Sequence, residues 1–152
     1  MPTMIYNKLM NNPLFFVFLI PIIVDVLGTV TGQPREYWKS KYQKFEEAVP
    51  FAHLLLKTHP LLFIIGCLVI WLPATYFLTL YLPEPLNLWV AMSLFAAHSY
   101  NSIVWLRKTQ RNLGIFVGKD RVSITLSLVP MTAYILIIGC VAVWGILEYF
   151  NS

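Results

Sequence analysis

Four apolar stretches constrain this chain more than anything else in it. They cover residues 14–31, 61–82, 86–106 and 123–150, and each is near the roughly 20 residues that cross a hydrocarbon core as an α-helix. Only Pro83-Glu84-Pro85 separates the second stretch from the third, so those two form a tight helical hairpin. Composition agrees. Hydrophobic residues make up 58% and charged residues 12%, against roughly 25% charged in an ordinary soluble domain. The expected fold is an all-α integral membrane protein, one domain over residues 1–152, built as a four-transmembrane-helix bundle. The first stretch does not read as a cleaved signal. Lys8 is its sole basic flank, and no Ala-x-Ala-like site follows.

Basic residues set the expected direction. The loop after the first stretch carries Arg35, Lys39, Lys41, Lys44 and Lys57. The loop after the third carries Arg107, Lys108, Arg111, Lys119 and Arg121. The opposite side has Lys8 alone, ten against one. The positive-inside rule then places both basic loops in the cytoplasm and both termini outside. Tyr37, Trp38, Tyr42 and Trp105 fall near the inner boundary, and Tyr81, Trp89, Trp144 and Tyr149 near the outer one. Amphipathic rings favour such belts. A bacterial cytoplasmic or thylakoid-type membrane is the expected location. With topology accounting for the basic loops, they carry no argument for nucleic acid.

The first cytoplasmic loop should be structured. "PFAHLLLKTH" begins at Pro50, which suits a first helical turn, and Glu46 and Glu47 stand at its positive end. Phe51, Leu54 and Leu55 make an apolar stripe. A short interfacial helix over about residues 50–58 is expected, ended by His59-Pro60.

The polar residues inside the stretches gather in one leaflet. Asp25 lies roughly 8 Å from the cytoplasmic end of the first span and His98 about 12 Å from that of the third, at 1.5 Å per residue. Asp25 and Thr29 are i, i+4. His98, Asn101, Ser102 and Trp105 share one helix face. Ser123, Thr125 and Ser127 approach from the fourth span, while the outer leaflet reads as almost wholly apolar. An ionised carboxylate at this depth needs a partner or a proton. The expectation is an Asp25–His98 contact completed by Thr29, Asn101, Ser102 and Ser127. Such a network serves either as interhelical glue or as a pocket for a small ligand or proton. Gly28-x-x-x-Gly32 offers a helix contact or a plain helix terminus.

Catalytic and metal chemistry find little footing. A metal site takes three or four ligands. One His and one Asp lie inside the membrane, and the loop candidates Glu46, Glu47, His53 and His59 have no ligand spacing. "EEAVPF", "LFAAH" and "HSYN" each miss the pattern of CAAX-protease-like membrane peptidases, and no serine sits in a Gly-x-Ser-x-Gly setting. "AAHSYNSIVW" resembles the pigment-ligating segment of small light-harvesting polypeptides, which leaves haem or a chlorophyll-type pigment on His98 as a minor reading. Cys67 and Cys140 differ in expected depth by roughly 15 Å, too far for a disulfide.

Asp25-x-x-x-Thr29, then Gly32, then Glu47-x-x-Pro50 resembles a group of small bacterial membrane proteins of unknown function, whose first loop reads Asp-x-x-x-Thr…Gly…Glu-x-Asn-Pro. Val49 stands where that Asn would be, and the likeness covers residues 21 to 61. It implies a four-span bundle whose first loop folds back to the membrane, and no activity. The leading functional expectation is a non-enzymatic accessory subunit of a membrane assembly, with a membrane-protein partner or a second copy of itself. A ligand or proton binder built on Asp25 and His98 comes next, and an intramembrane enzyme third.

Overall fold

The computed structural model describes residues 12–47, 49–115, 118 and 120–151; Lys8 and Lys119 lie outside them. The described residues are helical with no strand. The helices are α1 (Pro13–Thr31), α2 (Arg35–Lys39), α3 (Pro50–Thr58), α4 (Pro60–Tyr81), α5 (Leu86–Leu113) and α6 (Arg121–Asn151).

Proline and glycine punctuate these elements. Pro13, Pro50 and Pro60 open α1, α3 and α4 in the first turn, where the missing N–H has no helical partner to lose. His59 is extended, at φ −169° and ψ 136°, as the residue before a proline prefers. That single residue separates α3 from α4. Gly114 closes α5 in the left-handed region at φ 69°, which a residue without Cβ adopts freely. Asp120 caps α6: its carboxylate accepts from the Ser123 N–H at 3.0 Å and the Ser123 hydroxyl at 2.7 Å. Those hydrogen bonds hold the Asp120 carboxyl below its ordinary range.

α4 is not uniform. Gly66–Trp71 winds as a π-helical stretch just before Pro73, with the Leu72 N–H bonded to the Cys67 carbonyl five residues back. Pro73 has no N–H to offer. Widening the turn ahead of it regroups the bonds around that gap.

α1, α4 and α6 are long and apolar enough to cross a membrane. α5 has 28 residues but falls short on apolarity. Asn87, His98, Ser99, Asn101 and Ser102 dilute it, and Arg107, Lys108 and Arg111 load its last turns. It also runs seven residues past the expected limit at 106, to Leu113.

α1 is the centre of the assembly. Over half of its most apolar window is buried, 56% against 22% in α4 and in α6. Leu14, Val17, Phe18, Ile22, Val26 and Val30 form its buried stripe. It packs chiefly on α5 and next on α6. Glycine makes both contacts close. A Cβ on Gly145 of α6 would stand 2.9 Å from the Pro13 carbonyl oxygen. A Cβ on Gly28 would meet Trp105 Cβ at 3.0 Å, and one on Gly32 would stand 2.7 Å from the Trp105 ring. Gly28-x-x-x-Gly32 is therefore a helix contact whose knob is Trp105 of α5.

Two expected belt residues are corrected by this packing. Tyr37 is fully buried and Trp105 nearly so, so both belong to the core. Tyr37 packs edge-to-face with Trp38 and Phe45 and tilted against Tyr42, and its hydroxyl donates to the Leu56 carbonyl at 2.9 Å. That bond ties α2 to α3. Burial, with Tyr42 adding to it, pushes the Tyr37 phenol up to about 12.

Candidate functional site

A cavity of about 490 Å³ opens between α1, α4, α5 and the start of α3. Its walls are apolar: Val26, Val49, Phe63 and Ile70 are typical. Its polar groups are Asp25 and Thr29 from α1, His98 and Asn101 from α5, and Glu47 from the loop before α3. Among the described residues, Lys and Arg are absent from the lining. Ile70, Trp71 and Ala74 on α4, Asn101 on α5 and Phe51 on α3 line it while remaining exposed. The cavity is thus open at the side, where α4, α5 and the start of α3 border it.

At its base, His98 Nδ1 lies 2.7 Å from Asp25 Oδ2. The other carboxylate oxygen accepts from the Thr29 hydroxyl at 3.4 Å. His98 Nε2 faces the Trp71 indole N–H at 3.5 Å. An indole N–H can only donate, so Nε2 accepts and the ring proton sits on Nδ1, directed at Asp25. Nε2 is the nitrogen through which His98 would hold a haem or chlorophyll-type pigment, and the Trp71 indole N–H faces it. Ser102 is fully buried, with its hydroxyl within reach of the Pro21 carbonyl at 2.9 Å and the His98 carbonyl at 2.6 Å. It fastens α5 to α1 one turn from the pair.

The remaining expected residues divide. Asn101 lines the cavity. Ser127 does not: its hydroxyl donates to Ile124 of its own helix at 2.7 Å. Ser123 and Thr125 are likewise occupied locally. A serine or threonine can always satisfy its hydroxyl on a carbonyl three or four residues back, so entering a span does not bring it to a site. On α6, Tyr134 is buried beside Ser102 without hydrogen-bond geometry, outside the cavity lining.

In the first loop, Glu47 reaches the cavity and its carboxylate accepts from the Val49 N–H at 2.9 Å. Glu46 points away and pairs with Lys108 at 2.6 Å, while Lys108 lies over the Trp105 ring. His53 packs on Phe45 and lines a separate surface depression of about 320 Å³. His59 caps α4, accepting from the Leu61 N–H at 3.1 Å. Among the described residues no three His, Cys, Asp or Glu side chains converge as metal ligands. Cys67 and Cys140 are free thiols, and Cys67 lines the cavity.

Three features went unforeseen. Trp71 is one. A second is Gln33, buried after α1, whose amide donates to the Thr29 and Glu46 carbonyls and accepts from the Glu46 N–H. Asn112 donates to the Gln33 carbonyl in turn. The third is a polar cluster at the hairpin end, where Asn12 donates to Thr79 at 3.0 Å and Tyr149 donates to Asn87 at 3.0 Å. This corrects the expectation that the half of the bundle at the hairpin end holds almost nothing polar. Thr75 and Thr79, i, i+4 on an apolar helix, were the signal available for it.

Among the described residues, fold and site together define an all-helical protein with three helices fit to cross a membrane, and a side-open apolar cavity based on an Asp–His pair. No family model, curated protein or solved structure matches the chain. The likeness over residues 21 to 61 stays one of motif spacing.

Proposed function

We propose that this protein crosses the bilayer as a four-helix bundle, with both basic loops cytoplasmic and α3 lying along the inner interface. Its function on this reading is to bind, in the cavity between α1, α4 and α5, a small apolar molecule carrying one cationic or hydrogen-bond-donating group. The observation that carries the reading is the Asp25–His98 pair at the base of a cavity whose walls are otherwise apolar. Apolar pockets with a few convergent polar groups are the usual form of small-molecule sites. Among the described residues the lining contains the carboxylates of Asp25 and Glu47 and no Lys or Arg, which favours a donor or a cation over an anion. The side opening suits a molecule arriving from the lipid phase.

The accessory-subunit reading has less to support it. The exposed apolar residues of α6, such as Leu136, Val143 and Phe150, are what hydrocarbon contact alone requires. Asp25 and His98 also form an acid–base pair of the kind enzymes use, so turnover of the bound molecule is a further possibility of the same site.

The test is binding of decylamine and of decyl sulfate to the protein in a neutral maltoside detergent, followed by thermal unfolding. Decylamine should raise the unfolding temperature of the native protein and not that of Asp25→Asn, with decyl sulfate giving no such difference. Equal shifts in both proteins would remove Asp25 from the site.

A further inference from the structure

Trp71 stands in an unusual position. It belongs to the π-helical stretch of α4, is 45% exposed at the side opening of the cavity, and still turns its indole N–H inward onto His98. The two contacts of His98 are unequal. The bond to Asp25 is short, at 2.7 Å, and the one to Trp71 is 3.5 Å, at the outer edge of hydrogen-bond distance. The strong bond holds the imidazole and its tautomer. The weak one only covers the acceptor that this tautomer leaves facing the cavity.

The indole is nearly half exposed. Of its neighbours on α4, Ile70 and Ala74 are exposed, Leu68 and Leu72 half-buried and Thr75 buried. The local winding is wider than α, and Pro73 just beyond contributes no N–H to the ladder. An acceptor left bare in an apolar cavity is unfavourable, so a group that covers it lightly and can move aside suits a site that must also be filled.

We propose that Trp71 is a placeholder, its indole N–H covering His98 Nε2 in the free protein until a ligand's own N–H or O–H takes that nitrogen and the indole moves outward. The inference rests on the cavity being a binding site. It adds the atom that receives the ligand and the group the ligand must carry. Trp71 thereby sets specificity: a molecule without a donor cannot replace what it displaces.

Three probes with the same chain isolate this: decylamine, decanol and decyl methyl ether, titrated in a neutral maltoside detergent. The amine and the alcohol should bind the native protein, with the ether roughly tenfold weaker or worse, as loss of one hydrogen bond to a buried acceptor implies. Binding of the amine should change tryptophan emission. In Trp71→Phe the free protein leaves Nε2 uncovered. The amine and alcohol should then bind about threefold to tenfold tighter, and most of the emission change should vanish. Trp144→Phe, on the exposed face of α6, should behave as native. Equal binding of the ether, or unchanged or weaker donor binding by Trp71→Phe, would overturn the placeholder while leaving the cavity a binding site. Should none of the three probes bind the native protein, the cavity reading falls and this inference with it. The comparison of probes on native protein decides the matter even where Trp71→Phe is too unstable to use.

Discussion

His98 of α5 holds the carboxylate of Asp25 of α1 at 2.7 Å, across 73 positions of sequence and inside the contact between the two most extensively packed helices. Both side chains are mostly buried, 18% and 11% exposed. Removing one leaves the other in an apolar surrounding, a loss of about 3–5 kcal/mol for a fully buried pair and less with this residual exposure. Asp25→Ala and His98→Ala should each lower the thermal unfolding temperature in detergent. The double variant should lose clearly less than the two single losses added together, because the residues are in contact. Near-additive losses would show that the pair is not coupled.

Gly32 of α1 and Gly139 of α6 should respond oppositely to alanine. Gly32→Ala places a Cβ 2.7 Å from the Trp105 ring and 2.8 Å from the Gly28 carbonyl oxygen, a backbone atom that cannot yield cheaply. A loss of about 1–3 kcal/mol is expected from such overpacking, with Gly28→Ala milder. Gly139 has open space at its Cβ, so Gly139→Ala should be neutral or raise stability by up to about 1 kcal/mol through helix propensity. Unfolding curves for the three variants, measured side by side, check the order.

Gln33 and Lys108 both anchor the first loop, but only one should matter. Gln33 is buried and makes three hydrogen bonds to backbone groups. Gln33→Leu leaves the Glu46 N–H without that acceptor, at about 1–3 kcal/mol, and should speed amide hydrogen exchange over residues 43–47. The Lys108–Glu46 pair is largely exposed and Lys108→Ala should change little. Equal protection in native protein and Gln33→Leu would assign the loop's order to the aromatic cluster around Tyr37 instead.

The phenol of Tyr37 gives the loop an alkaline limit. Its ordinary value near 10 is pushed up to about 12 in the fold. Between those values the folded protein keeps a proton the unfolded chain has lost, so stability falls as pH rises from 10 to 12. Ionisation also removes the donor to the Leu56 carbonyl. Unfolding temperatures across that range should fall more steeply for native protein than for Tyr37→Phe. Parallel curves would place the alkaline transition elsewhere.

The proposed orientation is testable in whole cells. In a background with Cys67 and Cys140 replaced by serine, cysteines at Lys39 and Arg111 should be shielded from an impermeant thiol reagent. One at Asn151 should react. The reverse pattern would invert the topology.

The amino-acid sequence by itself determined the apolar helices and the proline-marked starts among their ends, because both depend on neighbours in the chain; the short α2 and the far end of α5 at Leu113 were not legible in it. Apolar runs of spanning length, Pro at first turns and Gly114 at a left-handed cap are local requirements. So is the depth of a residue along its helix, which brought Asp25 and His98 to one level before any packing was known. What only the tertiary structure decided is rotation about each helix axis and the choice among satisfied alternatives. Ser102 faces α1 while Ser127 turns its hydroxyl back on its own helix, and nothing in their local sequence separates the two, since either option satisfies the hydroxyl. Trp71 reaches His98 because α4 widens before Pro73 and is packed beside α5. Gly28 and Gly32 are a contact and not merely a terminus because Trp105 fills the notch they leave. Such choices depend on contacts between residues distant in sequence, whose free energy no single segment contains.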